Sequence, residues 1–164
     1  MAYIPQMSGD ATVEPVSSDQ ERRLAVDLFN HVWTLLELPN RSPEQDDEMI
    51  HAAHASRHHW GRVGNGANLG RGEWQISRVY VVLGRAEPAV HHAHRCLAYV
   101  DAGDGIEDWD RPFAYEALSR AHAIAGDHGE SLRYETLARE AGEGIVDDDD
   151  RAHLLSELET LPGR

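Results

Sequence analysis

Leu24, Leu28, Val32, Leu35 and Leu36 recur at helical spacing, and Phe29 and Trp33 widen the apolar stripe they draw. This run predicts a first helix. Ser17 and Ser18 offer N-caps, Glu21 completes a capping-box pattern with Ser18, and Leu38-Pro39-Asn40 closes the segment. A second helix is announced by Ser42 as cap, Pro43 at the first helical position and the acidic Asp46, Asp47 and Glu48 at the positive end of the macrodipole. It should run to about residue 60, where Gly61, Gly64, Asn65 and Gly66 predict a loop reaching Gly72.

Residues 73–83 are rich in β-branched side chains, yet Ile76, Val79, Tyr80 and Leu83 keep helical spacing. Apolar groups surround most of this stretch, so it reads as a central helix packed on more than one side. Gly84 closes it, and a fourth helix follows with Pro88 in its first turn and Ala89, Ala93, Cys96, Leu97 and Val100 inward. After a Gly- and Asp-rich loop at 101–107, Asp108 or Asp110 caps a fifth helix whose inner face is Phe113, Ala114, Ala117, Leu118 and Ala121. Gly126 ends it. A sixth helix over 130–141 turns Leu132, Leu137 and Ala138 inward, and the acidic run Asp147 to Asp150 precedes a seventh carrying Leu154, Leu155 and Leu158. Residues 1–16, with two prolines and no period, read as a flexible arm, which leaves 17–164 as one all-α domain of about seven helices.

Laid over itself with an offset of 42, the chain repeats: Ile76 meets Leu118, Ser77 meets Ser119, Arg78 meets Arg120, Tyr80 meets His122, Gly84 meets Gly126, Ala89 meets Ser131 and Cys96 meets Ala138. Each unit is a helical pair with glycine at the turn. Small residues midway along both helices and a glycine between them resemble the tetratricopeptide-type helical repeat over roughly residues 72–142. The sequence departs from that pattern where Ala93 and Glu135 stand in place of a large aromatic, and it lacks the closing proline. The resemblance implies antiparallel pairs stacked as an α-solenoid, with the closed helical bundle as the alternative arrangement. It also implies that Trp74, Arg78, Phe113, Glu116 and Arg120 line a concave groove, where aromatics beside arginines suit a peptide or a small acidic ligand. The opposing account makes Trp74 and Phe113 core and pairs the arginines with nearby carboxylates.

Charge narrows the partners. With 29 acidic and 15 basic residues the chain carries −14, which disfavours nucleic acid and anionic membrane surfaces. Every basic residue is Arg, consistent with a high-GC bacterial coding sequence. A single cysteine, no apolar leader and no membrane-length apolar run point to the cytoplasm, and a homo-oligomer is compatible with all of this.

The one constellation suggesting chemistry lies at 46–60. Asp47, His51, His54 and His58 fall within a helical sector of roughly 60° at about 100° per residue. His51, His54 and His58 are one turn apart in succession, Glu48-Met49-Ile50-His51 has Glu-x-x-His spacing, and Glu73 is a further donor. Such a set would suit Fe, Zn or Mn; the plainer account is a solvated helix face needing no cofactor. No phosphate loop, nucleophile elbow or paired cysteines accompany it. The expectation is therefore a non-catalytic binding module, with a metal-binding protein or metal-dependent enzyme as the alternative.

Overall fold

The computed structural model describes residues 15–163, so nearly all of the segment read as an N-terminal arm lies outside the described residues. Seven helices make up the rest: α1 (Ser18–Leu36), α2 (Pro43–Val63), α3 (Gly66–Val82), α4 (Ala86–Ala102), α5 (Asp110–Ile124), α6 (His128–Gly142) and α7 (Asp148–Glu159). Their starts follow local chemistry. Ser17 forms a reciprocal capping box with Gln20, Ser42 does the same with Gln45 ahead of Pro43, and Asn65 pairs with Asn68. The first box thus uses the serine and partner one residue earlier than Ser18 and Glu21. Glu21 is instead buried and bonds His59 Nδ1 at 2.5 Å, tying α1 to α2.

The helices pair antiparallel in succession, α1 with α2, α3 with α4 and α5 with α6. The odd-numbered helices also form a row, α1 on α3, α3 on α5 and α5 on α7, whereas the backbones of α2, α4 and α6 approach only their neighbours in sequence and these helices meet one another through long side chains such as Arg57 and Tyr99. Helix α3 packs against α1, α2, α4 and α5, which makes it the centre of the molecule. Its inner residues Ile76 and Val79 join Val32, Leu35 and Met49 in one core, while Val81 joins Ala89, Ala93, Leu118 and Tyr134 in the next. A third core, around Ala138, Ile145, Leu154, Leu158 and Leu161, seats α7.

The predicted loop through Gly72 is the largest departure. Residues 66–72 are the first two turns of α3, because their glycines act as contact surfaces rather than breakers. A Cβ on Gly72 would lie 2.8 Å from Arg57 Cδ of α2, and one on Gly70 would lie 3.2 Å from Tyr99 Cβ of α4. Close approach of both neighbours outweighs the intrinsic helix penalty of glycine, about 1 kcal/mol each. A smaller difference concerns one face: Leu132, expected inward, is 64% exposed, and the buried positions of α6 are Tyr134, Ala138 and Gly142.

The 42-residue offset reappears as geometry. Ser77 Oγ donates to the Ala89 carbonyl at 2.9 Å, and Ser119 Oγ donates to the Ser131 carbonyl at 2.8 Å. Gly84 and Gly126 take positive φ, 67° and 78°, at equivalent turns. Tyr80 stacks on His92 at 5.8 Å, and His122 stacks on Tyr134 at 5.7 Å, the same contact with the two ring types exchanged between helices.

Both serines are buried, so Ser77→Ala and Ser119→Ala should each lower stability by about 1 kcal/mol. The two share no partner, so the double variant should show the sum within a few tenths of a kcal/mol in urea denaturation.

Candidate functional site

Along α1, Phe29 and Trp33 are one turn apart; along α3, Arg71 and Trp74 are three residues apart; Trp109 and Phe113 straddle the start of α5. The row of odd-numbered helices brings these side chains together. Phe29 meets Trp33 at 6.4 Å between ring centroids, Trp33 meets Trp74 at 5.5 Å, Trp74 meets Phe113 at 6.0 Å and Phe113 meets Trp109 at 6.1 Å. The rings line a cavity of about 400 Å³, floored by small residues including Ala67, Gly70 and Ala114 and completed by Asp150 and His153 of α7. Its walls are mainly apolar. Trp74 Nε1 is buried without a hydrogen-bond partner, and Cys96, also on the wall, is a thiol whose pKa burial pushes up.

One charged pair sits on this wall. Arg71 grips Asp110 through Nε to Oδ1 and Nη2 to Oδ2, both 2.9 Å, and its guanidinium lies 4.1 Å from the Trp109 ring centroid. Asp110 therefore does not cap α5 through its side chain; that carboxylate binds Arg71 and accepts from the Glu107 amide.

Of the five groove residues, Trp74 and Phe113 line the cavity, whereas Arg78, Glu116 and Arg120 form a separate cluster against the end of α7. Glu116 is fully buried and accepts from Arg120 Nε at 2.6 Å. The other donors of Arg120 reach the carbonyls of Thr160 and Glu157 at 2.9 and 2.7 Å and the Thr160 hydroxyl at 2.9 Å, so it caps the C-terminal turn of α7. Arg78 binds Glu157, and its guanidinium stands 5.8 Å from the Trp74 ring. Burial pushes the Glu157 carboxyl up, but Arg78 and Arg120 outweigh it and hold the group below its ordinary value. Helix α7 thus supplies the carboxylate that these arginines would otherwise seek in a ligand.

The donors singled out on α2 are spread apart. His51, His54 and His58 are exposed, as are Asp47 and Glu48. Glu48 accepts from His31 Nε2 at 2.8 Å, and His54 Nε2 lies 3.0 Å from Tyr80 Oη. Desolvation, then the neighbouring His92, lowers the His54 pKa. Glu73 is buried and already held by Arg57 Nε and Arg95 Nε, each at 3.0 Å, and by His92 Nδ1 at 2.6 Å. Tyr99 Oη accepts from Arg57 at 2.7 Å and closes the ring of partners. Among the described residues, no three His, Cys, Asp or Glu side chains are grouped to hold a metal ion.

Phe29, Trp33, Asp150 and His153 escaped the groove prediction because the 42-residue register concerns α3 to α6 only, Arg71 because the glycines of 66–72 predict a loop there, and Trp109 because it precedes the first residue of α5. Their cavity is bounded in addition by α1 and α7, outside that register. The visible signal was aromatic: three of the four tryptophans line one cavity.

Two outcomes follow from the buried charges. Burial raises the Glu73 pKa, but hydrogen bonds from His92 and Arg95 and the charges of Arg95 and Arg57 bring it from 4.5 to about 2. A depressed carboxylate stabilises the fold fully above 4.5 and loses that contribution as pH falls toward about 2. Glu73→Gln should therefore cost on the order of 3 kcal/mol at neutral pH, and the gap to wild type should shrink below pH 4.5 in urea titrations; a gap constant down to pH 2.5 contradicts it. Arg120→Met should cost about 3 kcal/mol or more, because it strands the buried Glu116 carboxylate, and adding Glu116→Gln should recover part of the loss in a double-mutant cycle.

The described helices include none long and apolar enough to cross a membrane. No family model, curated protein or solved structure matches the chain.

Proposed function

We propose that the chain is a non-catalytic binding module of the tetratricopeptide-like kind expected from its repeat, and that its ligand site is the aromatic cavity between α1, α3, α5 and α7. The observation that carries this reading is the ring of Phe29, Trp33, Trp74, Trp109 and Phe113 around about 400 Å³. That size falls within the range of small-molecule pockets, roughly 300 to 1,000 Å³. An ordinary core would have closed over rings of this size, since interiors pack to crystal-like density.

The occupant favoured by this geometry is a small, largely apolar molecule or a single apolar side chain of a peptide. A small acidic ligand has weaker support, because Arg78 and Arg120 are satisfied by Glu116, Glu157 and the α7 carbonyls, and Arg71 by Asp110. Exchanging those internal carboxylates for a ligand's would need α7 to move.

The neutral dye Nile red tests the cavity. It should bind with one-to-one stoichiometry and quench tryptophan emission, because Trp33, Trp74 and Trp109 are all on the wall. Ile106→Trp, which fills the cavity from the loop before α5, should weaken binding at least tenfold with the melting temperature retained. Leu132→Glu on the exposed face of α6 should leave it unchanged. Loss with Leu132→Glu and persistence with Ile106→Trp would place the site on α6 instead and end this reading.

A further inference from the structure

The cavity carries a sign as well as a shape. Its one arginine, Arg71, is neutralised by the two-point contact with Asp110 and turned onto Trp109. On the α7 side the acidic run behaves unevenly. Asp147 caps the helix, Asp148 pairs with Arg151, and Asp149 is exposed, while Asp150 alone turns to the cavity wall. The Asp150 carboxylate is half-buried and has no hydrogen-bond or ion-pair partner among the described residues. An unpaired carboxylate beside aromatic rings is the arrangement that selects an ammonium group, and two of these rings already attract a cation each within the protein, Trp109 that of Arg71 and Trp74 that of Arg78.

Resting on the cavity being the ligand site, we infer that its ligand is an organic cation: a quaternary or alkylated ammonium group held by Trp33, Trp74, Trp109 and Phe113 and balanced by Asp150. An anion would meet Asp150, and the one arginine on the wall is already bound to Asp110. A neutral apolar molecule would leave that carboxylate half out of water without compensation. Inorganic cations are disfavoured because the wall offers few oxygens to replace their hydration shells.

The test compares phenyltrimethylammonium with its neutral isostere tert-butylbenzene and with benzoate, titrated at pH 8 into the full chain by calorimetry and tryptophan fluorescence. The cation should bind about tenfold or more tightly than the isostere, and benzoate should not bind. Asp150→Asn should weaken cation binding about five- to tenfold and leave tert-butylbenzene unchanged. Asp149→Asn, which removes the same unit of charge from the neighbouring exposed position, should change neither, separating Asp150 from the general pull of a −14 chain. Should Asp150→Asn prove unstable, Trp109→Leu provides the second variant, expected to weaken the cation more than the isostere. Equal affinity for cation and isostere, or equal effects of the Asp149 and Asp150 variants, overturns the cation assignment and leaves the cavity standing. Failure of all three compounds with Nile red still bound overturns it too. Failure of Nile red as well removes the cavity reading itself.

Discussion

Glu73 stands where α2, α3 and α4 meet, and a carboxylate taken out of water survives only if the charges around it are arranged before it is buried. Arg57 arrives from α2, and His92 and Arg95 arrive from α4, so one acid on the central helix fixes the positions of both flanking helices. Gly72 and Gly70, on the same helix, remove the side chains that would hold those neighbours off. The two devices require each other: without the close approach the guanidinium groups would not reach Glu73, and without the carboxylate two arginines would converge on like charge.

A second buried acid, Glu116, does the corresponding work one helix further along the row. It orders Arg120, and Arg120 holds the last carbonyls of α7. The consequence reaches the cavity, because α7 brings Asp150 and His153 to its wall. The rings of α1 and α3 would otherwise form an open furrow. Charge pairing inside the protein thus shapes an apolar site outside the pairs themselves.

Much of the helical architecture was legible in the residues. Ser42-Pro43, the glycines at 84 and 126, and the spacing of Ile76, Val79, Tyr80 and Leu83 each dictate local backbone behaviour, and local behaviour is what a single sequence encodes most directly. Residues 66–72 resisted because glycine has two opposite meanings, chain breaker and contact surface, and only the approaching helix decides between them. Site residues fared according to the same distinction. Trp74 and Phe113 fall on the wall of the cavity because register placed them on one side of adjacent helices. Arg120 pairs with a nearby carboxylate, Glu116 four residues away, as the opposing account has it, whereas the Glu157 carboxylate that Arg78 and Arg120 share lies 79 and 37 residues away, beyond local reading. For Asp47, His51, His54 and His58, a shared helical sector says nothing about which second helix would face them.

The stacked rings of Tyr80 with His92 and of His122 with Tyr134 occupy the same place in two units while trading residues across the helix interface. What recurs is therefore the contact and its orientation, 17° in one and 18° in the other, rather than either amino acid. A comparison that scores one position at a time counts two mismatches where the molecule has one match. Kinship between helical units of this sort is better sought in pairs of positions read jointly, where an exchanged pair scores as an identity.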